Sequence, residues 1–240
     1  MKLSVTVFNS CSDLPQELPD VIGFVGITPE IRKELESVLP QYSFFAMGTS
    51  AQYDGVQNPI AFRKDRFALH GFEHFWLSDT PRVPGSRFGT DQSKCPRICT
   101  AAVLMSLADG KCFRVYNTHL DHVGAMAQAQ GITLVLSRIA QDDALYPDTP
   151  VFLTGDFNIR PENPIVAGIN AFRSCGKPLT DVTADVGGTF HAYKPSEVCI
   201  KIDYIFTNAA CDASASRTLT DEENGVFFSD HYPVLAEAEI

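Results

Sequence analysis

The stretch that most constrains this chain is residues 151–158, Val-Phe-Leu-Thr-Gly-Asp-Phe-Asn. An apolar, β-branched run ends in a glycine, and an acid and an amide follow two positions apart. The pattern predicts a buried strand that delivers polar groups to the rim of a sheet. Residues two apart on an extended strand share a face, so Asp156 and Asn158 are expected to address one substrate atom together. Such a strand needs a core around it. With 240 residues, 45% of them hydrophobic, the chain is long enough for one large domain spanning 1–240.

Other segments repeat the theme. Residues 3–8 alternate and close on Asn9, and residues 21–27 are almost continuously apolar. Thr28, Pro29 and Glu30 supply an N-cap, a first-turn proline and an early acid for a helix that Pro40 stops; its apolar stripe is Ile31, Leu35, Val38 and Leu39. Strands are predicted over 42–47, 59–63 and 67–77, followed by a hairpin of 101–107 and 112–117 around Asp109-Gly110. A helix should then run through Ile139, burying Ile132, Val135, Leu136 and Ile139. Little pattern follows residue 158 until strands at 188–193 and 202–206 and a last one ending at Ile240. Residues 78–96, rich in Pro, Gly and Ser, are too long for a simple connector and read as a functional lip. Many strands with few helices, mixed in order, predict an α+β sandwich.

A formal charge of -10 argues against nucleic acid as a partner, because phosphate backbones call for a basic footprint. No apolar run reaches membrane-spanning length, and residues 1–9 read as a strand rather than a secretory signal. The seven cysteines are scattered, and only Cys95 and Cys99 approach metal-ligand spacing. Reduced thiols and a cytoplasmic location are the expectation.

Polar residues recur at the ends of the apolar strands: Asn9, His119, Asp156, Asn158, Asp203, Asp230 and His231. All are types that bind metal or move protons, which suggests a shared rim. Asn-Thr-His-Leu-Asp-His (117–122), Gly-Asp-Phe-Asn (155–158), Lys-Ile-Asp-Tyr-Ile-Phe (201–206) and Ser-Asp-His-Tyr-Pro-Val (229–234), in this order, resemble the endonuclease/exonuclease/phosphatase (DNase I-like) superfamily. Residues 75–81 and 96–100 resemble a bacterial and fungal branch of it. The resemblance implies a four-layer αββα sandwich with its site at one end of two packed sheets, and phosphoester hydrolysis assisted by a divalent cation, magnesium or manganese. It also implies roles. Asp156 would orient or deprotonate water, and Asn158 and Asn9 would hold the phosphate. His231, positioned by Asp203, would contact the phosphate, His119 would be a second donor, and Arg97 a charged clamp. Asp230, with Asn9, would help hold the metal.

The departures from the resemblance are as informative. Relatives carry their principal metal-binding Glu within Ile-Gly-Leu-Gln-Glu on the second strand; here that position is Gly26, preceded by Val25. A second acid is replaced by Val56, and bulky residues by Ala61 and Ala101. Gly26, Val56, Ala61 and Ala101 are therefore expected to open substrate space in the site. Glu30 or Glu34 could substitute for the missing ligand, but both fit an exposed helix face. Three readings follow. One is a hydrolase of a small-molecule phosphoester or diphosphate with a thinned metal site. Another is a repurposed enzyme doing metal-independent acid/base chemistry, a cyclisation or isomerisation, on an apolar small molecule. The third is a binding protein without turnover.

Overall fold

The structure, a computed structural model, describes residues 1–9, 19–195, 197–219, 222–223, 226–227 and 229–240. In chain order its elements are β1 (Lys2–Asn9), β2 (Val21–Val25), α1 (Pro29–Val38), β3 (Tyr42–Phe45), β4 (Ile60–Arg63), β5 (Phe67–Trp76), β6 (Ile98–Ser106) and β7 (Cys112–His119). There follow α2 (Ala125–Asp143), β8 (Val151–Asp156), α3 (Pro164–Ala171), β9 (Arg173–Ser174), β10 (Lys177–Pro178), β11 (Thr180–Asp181), β12 (Asp203–Thr207) and β13 (Ala210–Cys211). Last come β14 (Arg217–Thr218), β15 (Glu222–Glu223), β16 (Val226–Phe227) and β17 (Val234–Glu239).

Two mixed sheets carry the fold. One has the order β13-β17-β1-β2-β4-β3, with β14 also on β17; the other has the order β11-β12-β8-β7-β6-β5. The parallel pairs are β1–β2 and β7–β8, and α2 supplies the crossover between β7 and β8. Strand alternation divides the apolar residues into three cores. Val5, Val7, Val25, Phe62, Leu104, Val115, Phe152 and Ile205 fill the space between the sheets. Phe8, Ile22, Phe24 and Ala61 face outward and are covered by Leu35 and Leu39 of the α1 region. Tyr116, Leu153 and Phe206 face outward from the second sheet beneath Val135 and Ile139 of α2 and Val166 and Ile169 of α3. The result is a four-layer αββα sandwich, as the motifs imply.

Several sequence expectations are corrected. The α1 start is as predicted, with the Thr28 side chain accepting from Ile31 N and Pro29 in the first turn, but Val38 is 64% exposed and outside the apolar stripe. Residues 188–193 form no strand; only isolated bridges from Phe190 to Ile200 and His231 remain. The patternless stretch contains α3, capped by Asn163 and opened by Pro164. The connection expected between Asn9 and Asp20, with Cys11, falls mainly outside the described residues. The six described cysteines are free. No helix among the described residues is long and apolar enough to cross a membrane.

Candidate active site

Alternation explains why the polar residues converge. The inward-facing series on β1, β7 and β8 runs through Val7, Val115 and Phe152, and continuing it two residues at a time toward each strand's C-terminus reaches Asn9, His119 and Asp156. On antiparallel β12 the series runs backward from Ile205 to Asp203, which pairs with Asp156; His119 pairs with Asp156 from the other side. His231 arrives just before β17. All five side chains therefore stand at one end of the inter-sheet space.

Their contacts are close. Asp156 accepts from Asn9 Nδ2 at 2.9 Å and from the Asn158 backbone N–H at 2.8 Å. His231 Nδ1 lies 2.7 Å from Asp203 Oδ2. His231 Nε2 and His119 Nε2 stand 3.9 and 3.5 Å from Asp156 Oδ2, and Asn9 Nδ2 is 3.3 Å from both ring nitrogens of His231. Burial, reinforced by the neighbouring Asp203 carboxylate, pushes Asp156 up to about 7. Burial works against a charge on His231, yet the Asp203 carboxylate outweighs it and raises His231 to about 9. His119 goes the other way: burial, with the Arg97 guanidinium nearby, holds it well below the ordinary histidine value. The site thus combines a carboxyl poised to titrate, a protonated imidazole and a neutral one.

Residues whose roles the sequence did not reveal hold this cluster. Ser229 Oγ donates to Asn9 O at 2.5 Å and accepts from His231 N at 3.0 Å, tying β1 to the His231 segment. Asn117 Nδ2 donates to Phe24 O (2.6 Å) and Pro59 O (3.1 Å), pinning the second sheet to the first one layer beneath the site. Gly23 makes room for it: a Cβ there would stand 2.6 Å from Asn117 Oδ1. Gly155 has φ +145°, and a Cβ would meet Thr118 O at 1.8 Å, so only glycine delivers Asp156 beside His119. Lys201, buried, donates to Thr183 Oγ1 (2.9 Å) and Asp203 O (3.0 Å). Ser229 and Lys201 lie inside the recognised motifs, so their positions were visible although their partners were not.

Other expected site residues stand differently. The strand ends at Asp156, and Asn158 takes a left-handed φ of 53°. It does not share a face with Asp156; its Nδ2 donates to Leu120 O at 3.1 Å, and it serves Asp156 through its backbone. Arg97 donates to His122 Nδ1 at 2.8 Å and sits 3.5 Å from Asp121, at the edge of the cluster. Gly26 lies at the rim with φ +71°, donating to Asn58 Oδ1 at 3.1 Å. Val56 is exposed on the loop before β4 and vacates no enclosed space. Ala101 and Ala61 face the α2-covered and α1-covered cores, on the opposite sides of their sheets from the site. They enlarge nothing there. The 78–96 lip is tethered: Asp91 accepts from Met126 N and Ala127 N at the start of α2, and Ser93 Oγ donates to Asp121 at 2.5 Å.

For a metal, the described residues offer one group, Asp156, Asp203 and His231, whose ligand atoms lie within 4.8 Å of one another. Asp203 Oδ1 is buried without a hydrogen-bond partner, an unmet demand that a cation would satisfy. Two carboxylates flanked by an amide fit a hard divalent cation. Asp230 is not in that group, although its charge raises His231. Glu30 and Glu34 are exposed on α1, as expected.

The sequence profile of the Endonuclease/Exonuclease/phosphatase family matches residues 13–231. The chain belongs to that family. Family members are phosphoester hydrolases and generally use divalent metals. The fold is similar to an endonuclease/exonuclease/phosphatase from Bacteroides vulgatus (27% identity, TM-score 0.86, covering 100% of this chain and 99% of that one). It is also similar to a family protein from Bacteroides thetaiotaomicron (25%, 0.84, 99% and 97%) and to a mannosyl-6-phosphatase of the same organism (24%, 0.83, 99% and 100%). No curated protein matches the chain in sequence.

Proposed function

We propose that the protein hydrolyses a small-molecule phosphoester with a divalent-metal site thinned by the replacement of the family glutamate with Gly26. The observation that carries this reading is the convergence of Asn9, His119, Asp156, Asp203 and His231 at one end of the sheets, with Asp156 and His231 both tightly partnered. The net charge of -10 supports a small molecule over nucleic acid. The neighbour named as a mannosyl-6-phosphatase supports a phosphomonoester.

Chemically, Asp156, oriented by Asn9 and the Asn158 N–H, takes a proton from the attacking water as its oxygen bonds to phosphorus. The phosphorus–ester oxygen bond breaks, and the leaving oxygen receives a proton from His231, whose charge Asp203 sustains. Neutral His119 and Asn9 donate hydrogen bonds to the phosphoryl oxygens as charge develops. A divalent cation held by Asp156 and Asp203 would withdraw charge from those oxygens.

One observation favours a second reading. At Gly26 the backbone N–H meets the Asn58 amide where a ligand carboxylate is expected, and the Asp156–His231–Asp203 set is a complete acid/base pair on its own. Metal-independent chemistry on a small molecule follows if that set works alone. Phosphate release from a panel of sugar phosphates and diphosphates, with manganese and with chelator, separates the two. Turnover that manganese restores after chelation supports the hydrolase. Its absence across the panel under both conditions overturns it.

A further inference from the structure

On the outer face of the second sheet, remote from the catalytic rim, lies a cavity of about 340 Å³ between β5, β6 and the end of α2. Ala101 forms its floor. In register it stands between Glu73 of β5 and Tyr116 of β7, and its single methyl leaves the sheet surface open where a larger side chain would fill it. Val103, on the same sheet face as Ala101, and Leu145, 71% exposed, give the cavity two apolar walls. The volume falls in the range of small-ligand sites.

The polar groups of this cavity are unequally satisfied. Arg138 pairs with Glu73 at 3.3 Å and lies over the Phe75 ring, 5.5 Å from its centroid. Its charge is therefore committed to Glu73. The Tyr116 hydroxyl, on a fully buried side chain, donates to Asp142 Oδ2 at 2.5 Å and so aims that carboxylate at the cavity. Among the described residues Asp142 has no cationic partner. The lining therefore presents apolar surface around one uncompensated negative charge, which suits a ligand that is apolar at one end and cationic at the other.

We propose that this cavity is a second, non-catalytic binding site for a small aromatic amine, its ammonium on Asp142 and its ring between Val103 and Leu145. The site is independent of the hydrolase reading, because none of its residues belongs to the catalytic cluster.

The test is calorimetric titration of the whole chain with tryptamine, and with indole-3-acetate as an anion of similar shape. Saturable tryptamine binding, at least tenfold tighter than that of the anion, is expected. Ala101→Trp should abolish it by filling the floor, with cooperative thermal unfolding as the check that the variant is folded. Leu145→Arg, at a solvent-exposed position, covers the case in which the tryptophan is not accommodated; its added positive charge should weaken tryptamine at least tenfold, about 1.4 kcal/mol. No saturable binding at millimolar tryptamine overturns the proposal. So does equal binding of the anion, or unchanged binding in Leu145→Arg.

Discussion

Asp203 Oδ2 stands 2.7 Å from His231 Nδ1, and this contact gives the imidazole its charge. Burial alone would keep His231 neutral; with Asp203 present it is raised to about 9. Asp156, buried and walled by the same cluster, is raised to about 7. A mechanism that needs ionised Asp156 and protonated His231 should show a bell-shaped kcat/KM, rising near pH 7 and falling near pH 9. These limbs belong to the coupled cluster rather than to either residue singly. In Asp203→Asn the falling limb should move to lower pH, and the maximal rate should fall roughly 10²–10⁴-fold. A pH–rate series on both proteins checks this. A falling limb that stays in place would show that Asp203 does not sustain the imidazolium.

If Asp156 and Asp203 hold the metal, manganese binding measured by calorimetry should be lost in Asp203→Asn and weakened at most about threefold in Asp230→Ala. Asp230 lies next to His231 in sequence, yet its carboxylate is outside the group of ligand atoms that come together. The opposite pattern, loss in Asp230→Ala alone, would move the metal to the other side of His231.

The rim was legible because strand alternation and motif order act together. Asn9, His119, Asp156 and Asp203 each end an apolar series of period two, and the structure pairs two of those strand ends directly with Asp156. What failed depended on which way a side chain faces once strands pair. Ala61 and Ala101 look like vacated site positions only if their facing is ignored; register puts them on the outer faces. Asn158 failed differently. The two-residue rule holds while the strand lasts, and the strand stops at Asp156, after which φ turns positive. The α3 helix was hidden because its eight residues are too few for a clear helical period and include Gly168, leaving Asn163-Pro164 as its main signal. Contacts such as Ser229 to Asn9 join residues 220 apart, a separation no local pattern reports.

Asn117 makes a stability prediction. Its amide bridges two backbone carbonyls of the opposite sheet and accepts from Thr154 Oγ1 at 3.0 Å. Asn117→Ala would take from buried Phe24 O its hydrogen bond and open a small cavity against Gly23, while Pro59 O keeps the Phe24 N–H at 2.9 Å and Thr154 Oγ1 keeps Tyr116 O at 3.3 Å. Chemical denaturation should show a loss of roughly 2–4 kcal/mol. A loss below about 0.5 kcal/mol would mean that water or a rearranged Thr154 satisfies Phe24 O as well.

Lys201 tests how the rear of the site is built. Burial lowers its ammonium to about 8, opposed by Asp181 and Asp203, while its Nζ still donates to Thr183 Oγ1 and to Asp203 O. The unfolded chain, with a lysine near its ordinary 10.5, binds more protons than the folded one between about pH 8 and 10.5. Lys201 therefore adds a positive slope to stability against pH across that window. His231, raised from 6.5 to about 9, binds its proton more tightly in the folded state and contributes a negative slope between those values. Lys201→Met removes the first contribution and keeps the second. Denaturation midpoints taken from pH 7 to 10 should thus fall more steeply with pH in the variant than in the parent. Parallel curves would show that Lys201 keeps its ordinary affinity for protons, and that its burial is relieved by motion of the 181–183 turn.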